Sequence, residues 1–132
     1  MSVEVDPRCL YTKTHEWIRV EGDEAYTGIT DYAQQQLSDI VYVELPEVGD
    51  SFEQGEVYCT VESVKAASDC YLAVDGEILE TNEELADQPD LVNSDPYGDG
   101  WFVRFAIGDP DQLRGLMDAA AYKQYASSLE GA

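Results

Sequence analysis

The chain has 132 residues, of which 44% are hydrophobic, and its 28 acidic and 7 basic residues give a net charge of −21. This length suits one domain that buries its own core, and the lack of any clustered run of Lys or Arg argues against a nucleic-acid partner. No apolar run approaches the roughly 18 residues that a membrane span needs, and the N-terminus lacks the basic segment of an export signal.

Two stretches near the N-terminus predict a β-hairpin, residues 16–20 and 25–29, because both are rich in β-formers and flank a polar turn. Asp31 with Gln34 three residues later resembles an N-cap with its capping-box partner, so a short helix is expected there. The later expected elements are a strand over 40–45, a turn over 48–50, strands over 55–61, 70–74 and 77–81, a helical turn over 82–90, a strand over 101–107 and a helical segment over about 109–130.

The C-terminal segment is expected to begin at Asp109, with Pro110 at the first helical position. Apolar residues follow at spacings of three and four residues, which is typical of a helix with one buried face. These residues are Leu113, Leu116, Tyr122, Tyr125 and Leu129. Short strands separated by turns, with helices at the end, predict a single mainly β domain over 1–132, a sandwich or flattened barrel with helical flanks.

The acidity has two interpretations. An acidic surface attracts basic patches on partner proteins and speeds their encounter. Alternatively, the chain is adapted to a cytoplasm of high salt, where screening over roughly 3 Å at 1 M removes the self-repulsion. The second interpretation is preferred because the chain has only three lysines.

The cysteines and the single histidine do not predict a metal site. Cys9, Cys59 and Cys70 have no metal-ligand spacing, and His15 is the only histidine. Cys59 and Cys70 would face each other across a hairpin centred on residues 64 and 65, which permits a disulfide without requiring one. In a reducing compartment we expect free thiols that behave as small hydrophobic side chains.

Catalytic residues are not predicted either. His15 beside Glu16 has the composition of a base with an orienting carboxylate, but neighbours in a strand point to opposite faces. The remaining carboxylates are scattered as on a solvated surface.

Lys65 lies between the strand-like runs 55–61 and 70–74, so it is expected at a hairpin tip. A lysine there is accessible to an enzyme that acylates amines, whereas a buried lysine would be costly to desolvate. An ordinary exposed lysine at a polar turn is the simpler interpretation. A Gly-Glu-aliphatic unit begins at Gly55 and again at Gly76, which favours two similar arms around one tip.

Six blocks of the sequence, in order from about Leu10 to Tyr125, resemble the H-protein family of the glycine cleavage system. The block around Lys65 is similar to a lipoylation signature. The blocks are Thr14-His15-Glu16-Trp17, Gly28-Ile29-Thr30-Asp31-Tyr32-Ala33-Gln34, Val43-Glu44-Leu45-Pro46-Glu47-Val48-Gly49, Glu62-Ser63-Val64-Lys65-Ala66, Leu91-Val92-Asn93-Ser94-Asp95-Pro96-Tyr97-Gly98 and Gly100-Trp101.

The resemblance implies a barrel-sandwich hybrid, the fold of lipoyl domains, with short flanking helices and a C-terminal helix. It also implies a non-catalytic carrier in which lipoic acid, joined by an amide to Lys65, supplies the chemistry. In the family, the P protein (glycine decarboxylase) transfers an aminomethyl group to the arm, and the T protein (aminomethyltransferase) removes it. The L protein (lipoamide dehydrogenase) then reoxidises the arm.

The resemblance further implies a lipoate ligase or lipoyltransferase as a partner. It implies a prokaryotic cytoplasm, or a mitochondrion if a transit peptide has been removed from the chain.

Three more residues correspond to functional positions of the family. Glu62 and Gly76 match the acidic residue and the glycine that support recognition by lipoylating enzymes; a surface carboxylate and a turn glycine are the simpler interpretations. Glu16 matches a residue of the cleft that receives the loaded arm, where a carboxylate can pair with an ammonium group.

The sequence departs from the family at three places. Ser38 stands where a glycine usually follows the short helix, and Gln36 replaces a histidine found at the cleft of some members. Residues 72–76 lack the usual proline.

Four other functions remain to be weighed. An H-like protein that relays lipoyl groups to other complexes would use the same chemistry of Lys65, so the sequence does not separate it from a glycine cleavage carrier. A lipoyl domain of an acyltransferase is disfavoured because no linker follows, and a biotin carrier because no methionines flank Lys65. An unmodified acidic interaction module would tolerate the loss of Lys65.

Overall fold

The computed structural model describes residues 3–130; the predicted single domain also includes residues 1, 2, 131 and 132, which lie outside that range. The strands are β1 (Leu10–Tyr11), β2 (Glu16–Glu21), β3 (Glu24–Ile29), β4 (Ile40–Glu44), β5 (Ser51–Phe52), β6 (Val57–Ser63), β7 (Ala67–Tyr71), β8 (Gly76–Thr81) and β9 (Val103–Ile107). The helices are α1 (Asp31–Leu37), α2 (Glu84–Asp87), α3 (Leu91–Ser94) and α4 (Ala119–Glu130), and a 3-10 helix covers Pro110–Gly115.

Two antiparallel sheets enclose the main hydrophobic core. One has six strands in the order β1-β2-β3-β9-β8-β5, and the other has three in the order β4-β6-β7. Buried side chains from both sheets meet in the core, for example Ile18 and Phe105 from the first and Val61 from the second. This arrangement, with short helices and a C-terminal helix, confirms the predicted mainly β barrel-sandwich fold. No helix within residues 3–130 is long and apolar enough to span a membrane.

The predicted hairpin of β2 and β3 is confirmed, but the predicted N-cap of the next helix was wrong by one residue. Thr30 has an extended backbone, and its Oγ1 accepts a hydrogen bond from the Ala33 N–H at 3.2 Å. Asp31 is instead the first helical residue, and its carboxylate accepts hydrogen bonds from the side-chain amides of Gln34 and Gln35. A threonine satisfies the free N–H groups of a helix start as an aspartate does, so local sequence did not separate the two positions.

The predicted C-terminal helical segment is divided in two. Asp109 caps the 3-10 helix, with Pro110 in its first turn, as expected. The chain then extends so that Met117 pairs with Tyr11 in an isolated β-bridge, and α4 begins only afterwards. The predicted continuous apolar face was therefore wrong: Leu116 is not helical and Leu129 is exposed.

A second core attaches α4 to the first sheet. The rings of Tyr11 and Tyr122 stack with centroids 4.6 Å apart. The Tyr122 hydroxyl also lies 2.8 Å from His15 Nδ1 and 2.7 Å from Thr30 Oγ1. His15 is therefore part of the packing beneath α4, which agrees with the structural role expected from its sequence position.

The cysteines lie in the interior. Cys59 pairs with Cys70 across β6 and β7, as the hairpin register predicted, and all three cysteines are buried free thiols. Burial raises the pKa of Cys9 to about 12, and a hydrogen bond with Cys59, together with burial, raises the pKa of Cys70 above its usual value. Both groups are thus held as thiols, which are poor nucleophiles. No cluster of His, Cys, Asp and Glu within the described residues could hold a metal ion.

Ser38, the serine in place of the family's usual glycine, ends α1 in a strained conformation. Its φ of 66° and ψ of −150° lie in a region that is almost restricted to glycine. Asn93 fixes this connection from both sides: its Nδ2 donates to the Ser38 carbonyl at 2.8 Å, and its Oδ1 accepts from the Ile40 N–H at 2.9 Å. The surrounding structure therefore imposes a backbone that serine itself disfavours.

Substitution Ser38→Gly should stabilise the protein by about 1 kcal/mol, because relief of the strain outweighs the greater freedom of glycine in the unfolded chain. The measurement is the midpoint of urea unfolding. Ser38→Ala, which keeps the strain, serves as the control and should show no gain. A lower midpoint for Ser38→Gly than for the native chain would contradict this account.

Candidate functional site

Lys65 lies at the exposed tip of the β6–β7 hairpin, where the sequence placed it. Val64 and Lys65 are the two central residues of the turn, which is closed by a 2.8 Å hydrogen bond from the Ser63 N–H to the Ala66 carbonyl. The Ser63 hydroxyl accepts hydrogen bonds from the N–H groups of Lys65 and Ala66, both at 3.1 Å. A serine at this position therefore holds the turn through its side chain.

The tip is also fastened to the α1–β4 connection. The Val64 N–H donates to the Asp39 carbonyl at 3.0 Å, and the Lys65 ammonium donates to the Gln36 carbonyl at 3.3 Å. Carbonyls in the last turn of a helix lack helical partners and carry partial negative charge, so a lysine is favoured there. Because Gln36 acts through its backbone, the replacement of a histidine by Gln36 leaves this contact possible.

Asn93 is the residue of this region that the sequence did not single out. Its hydrogen bonds to Ser38 and Ile40 fix the connection on which the tip rests, and its Nδ2 also donates to Gln34 Oε1 at 3.0 Å. The contacts join positions more than 50 residues apart. The block over 91–98 was noted in the sequence, but nothing in its spacing indicated this role.

Glu62 lies close to the tip. This position is compatible with the expected recognition of Glu62 and Lys65 by one lipoylating enzyme. It pairs with Tyr42 of β4 on one side and with Ala67 of β7 on the other. Its side chain is exposed. Glu62 and Lys65 are therefore presented together at one end of the three-stranded sheet.

Gly76, in contrast, is not at the tip. It begins β8 in the six-stranded sheet, where it pairs with Phe52 of β5 and with Ile107 of β9. Along the chain it follows the end of β7 that is distant from Lys65. A Cβ atom here would meet the Phe105 ring and lie 2.9 Å from the Ala106 carbonyl oxygen. The interpretation of Gly76 as a turn glycine was wrong, since close packing inside a sheet excludes a side chain at this position.

Glu16 is buried, with only 2% of its surface exposed. Its Oε1 accepts hydrogen bonds from the hydroxyls of Thr12 and Thr14, and its Oε2 accepts one from the Tyr71 N–H at 3.3 Å. Burial raises the pKa of the Glu16 carboxyl, and the hydrogen bonds from Thr12, Thr14 and Tyr71 partly oppose that shift. A carboxylate has about four acceptor positions, so Oε2 can accept a further donor.

The Glu16 carboxylate faces a cavity of about 240 Å³ rather than the hairpin tip. Apolar walls come from Leu72, Leu116 and Met117, and polar groups from the threonines around Glu16. The cavity lies at the end of β7 opposite Lys65, because Tyr71 is the last residue of that strand. The structure therefore separates Glu16 from the tip, in contrast to a cleft immediately beside Lys65.

One edge of β7 connects the two places. Within residues 3–130, β7 pairs only with β6, at the outside of the three-stranded sheet, so its second edge has no strand partner among them. At ~3.3 Å per residue, the path along β7 from Ala67 to Tyr71 is about 13 Å. A lysine side chain that bears an eight-carbon acyl chain is long and apolar, and this path and the apolar walls of the cavity suit such a chain. The residues present thus fit a lipoyl group on Lys65.

A small β domain that presents a lysine at an anchored hairpin tip, with a buried carboxylate beside the far end of the hairpin strand β7, has the features of a carrier for a covalently attached arm. Comparison with known proteins agrees. A model of the family described as Glycine cleavage H-protein matches residues 9–129. The chain belongs to this family, whose members are lipoyl carriers of the glycine cleavage system.

Individual relatives support membership of the same family. The glycine cleavage system H protein of Halothermothrix orenii is 52% identical over 128 residues, which cover 97% of this chain and 100% of the relative. The protein of the same description from Bacteroides thetaiotaomicron is 57% identical over 113 residues, covering 86% and 90% of the two chains. The crystal structure of a glycine cleavage system H protein from Mycobacterium marinum matches with a TM-score of 0.82 at 35% identity, covering 93% of this chain and 99% of that one.

Substitution Gly76→Ala should destabilise the protein by about 2 kcal/mol, because the added methyl group overpacks the Phe105 ring and the Ala106 carbonyl. Urea unfolding measures the change. Gly115→Ala is the matched control, since a Cβ atom at Gly115 meets nothing within 4 Å. Equal stability of the two variants would show that packing does not require glycine at position 76.

Proposed function

We propose that this chain carries the aminomethyl group of glycine from the P protein to the T protein and presents its reduced arm to the L protein. The observation that supports this most directly is the presentation of Lys65, which is exposed while its backbone is tied to both the hairpin and the α1–β4 connection. A fixed attachment point with a long free arm lets one carrier serve several active sites in turn. Membership of the glycine cleavage family supports these three partners.

Lys65 is the residue to which lipoic acid would be joined, and the dithiolane of the bound group would supply the transfer and redox chemistry. Formation of the amide removes the charge of Lys65 and with it the attraction to the Gln36 carbonyl. The modified side chain is then free to leave the helix end and lie along β7, toward the cavity.

Glu16 would hold the loaded end of the arm. A cationic amine that enters the cavity can donate a hydrogen bond to Oε2, and charge-assisted hydrogen bonds of this kind are stronger than neutral ones. The apolar walls around it exclude water, which protects a group that hydrolyses readily. Glu16 thus acts as a binding residue, while the carrier itself performs no catalytic step.

Glu62 and Gly76 would support lipoylation in different ways. Glu62 lies on the face that an enzyme approaching Lys65 meets, so it is suited to direct contact. Gly76 lies in the other sheet and would act through the close packing of β8 against β9.

We propose a prokaryotic cytoplasm as the compartment, and there the charge of the protein suits encounters with basic partner surfaces; adaptation to high salt stays a prediction. Each arginine has a carboxylate partner within 4.0 Å: Asp6 for Arg8, Glu21 for Arg19, Glu24 and Glu80 for Arg104, and Asp111 for Arg114. Most of the acidic excess therefore remains available to attract cations or basic proteins.

Lipoylation of Lys65 tests the proposed function. Incubation of the protein with lipoate, ATP and a lipoate ligase should add the mass of one lipoyl group, as measured by intact mass spectrometry, and Lys65→Arg should add none. Lys13→Arg is the matched control and should be modified like the native chain. Modification of Lys65→Arg, or no modification of folded native protein, would overturn the proposed function.

Protection of the loaded arm by Glu16 is tested separately. In lipoylated protein loaded by the P protein, Glu16→Gln should speed the release of ammonia by about tenfold, because a neutral amide forms a weaker hydrogen bond to the amine than a carboxylate does. Glu47→Gln, a change in an exposed turn, should leave the rate unchanged. An unchanged rate in Glu16→Gln would remove Glu16 from the arm-binding site.

A further inference from the structure

Two consecutive apolar residues of β4 are exposed, in violation of the alternation expected of a strand. Val41 is 53% and Tyr42 is 49% exposed, whereas their neighbours Ile40 and Val43 are 3% and 6% exposed. The cause is a bulge: Ile40 pairs with Ser63 and Tyr42 with Glu62, which leaves Val41 as an extra residue on β4. Bulges commonly re-aim side chains beside functional sites.

A third exposed apolar residue lies beside these two. Val64 is 65% exposed and precedes Lys65 in the turn. Its N–H is bonded to Asp39, the residue before β4, and its neighbour Ser63 pairs with Ile40. We call Val41, Tyr42 and Val64 the tip patch. Single exposed apolar residues are ordinary, but a contiguous group marks an interaction surface.

Carboxylates surround the tip patch. Asp39 precedes it on the chain, Glu44 follows it on β4, and Glu62 pairs directly with Tyr42; all three side chains are exposed. The surface that fits it has an apolar centre and a basic rim, because opposite charges at a rim speed association and exclude wrong partners.

We propose that the tip patch is the docking surface for the enzyme that acylates Lys65. This inference rests on the proposed function and identifies one partner among those that visit the carrier. In the acylation, Lys65 first gives one proton to solvent and reacts as the neutral amine. A bond then forms between Lys65 Nζ and the carbonyl carbon of lipoyl adenylate, the bond from that carbon to the phosphate oxygen breaks to release AMP, and the second proton passes from Nζ to solvent.

The position of the reacting atom distinguishes the acylating enzyme from the enzymes that act on the attached arm. The acylating enzyme must bring its active site within bonding distance of Nζ, so its surface has to cover the residues next to Lys65. Enzymes that act on the dithiolane meet the far end of the arm and can bind elsewhere on the carrier. The apolar residues beside the attachment point are therefore assigned to the acylating enzyme.

The experiment measures initial rates of lipoylation against carrier concentration, using lipoate, ATP and a lipoate ligase. Val41→Ser, Tyr42→Ser and Val64→Ser should each lower kcat/KM by about tenfold, chiefly through a higher KM, as truncation of a buried interface residue does. Val48→Ser is the matched control, since Val48 is 64% exposed in the turn between β4 and β5. It should react like the native chain, and melting temperatures should show that all four variants are folded.

A second measurement tests the assignment to this enzyme. Each variant, lipoylated to completion by prolonged incubation, should be reduced by lipoamide dehydrogenase and NADH as fast as the native carrier. Equal losses in both assays would assign the tip patch to enzymes in general and overturn the proposal.

Two further outcomes are decisive. Lipoylation of all tip-patch variants at the native rate, or an equal loss in Val48→Ser, would also overturn the proposal while leaving the carrier function intact. Failure of the native protein to accept a lipoyl group would instead overturn the proposed function itself.

Discussion

The hydrogen bond between the Val64 N–H and the Asp39 carbonyl joins the hairpin tip to the α1–β4 connection, and the functional geometry depends on this junction. A two-residue hairpin turn alone would leave its lysine on a flexible projection. Here Asn93 fixes the α1–β4 connection through hydrogen bonds to Ser38 and Ile40, and that connection binds the Val64 N–H. The exposed side chain of Lys65 therefore extends from an anchored backbone. The strained backbone of Ser38 lies in this same connection.

The same strand, β7, relates the two halves of the proposed mechanism. In that mechanism the arm would be attached near one end of β7, where Lys65 is exposed, and would be protected at the other end, where Glu16 is buried. Exposure to an acylating enzyme and protection from water cannot both be met at one position, because a site that an enzyme can reach is also open to water. The two places are instead separated by β7, which spans about 13 Å from Ala67 to Tyr71 and has an edge without a strand partner among residues 3–130.

Much of the local structure could be predicted from the sequence because hairpins and turns depend on residues that are neighbours along the chain. The β2–β3 hairpin, the Lys65 turn and the Cys59–Cys70 pairing follow from short strands of β-forming residues about a turn. The strands β1 and β5 have two residues each, too few to show a periodicity, and the break before α4 depends on a bridge between Met117 and Tyr11.

The sequence by itself determined the mainly β class, the exposed lysine at a turn and, through resemblance, the lipoyl carrier family. Tertiary structure decided where the other site residues lie. It placed Glu62 at the tip, moved Gly76 into a closely packed sheet, and buried Glu16 at the far end of β7. The physical reason is that turns arise from adjacent residues. The burial of Glu16, the close packing at Gly76 and the hydrogen bonds of Asn93 depend instead on partners dozens of positions away in the chain.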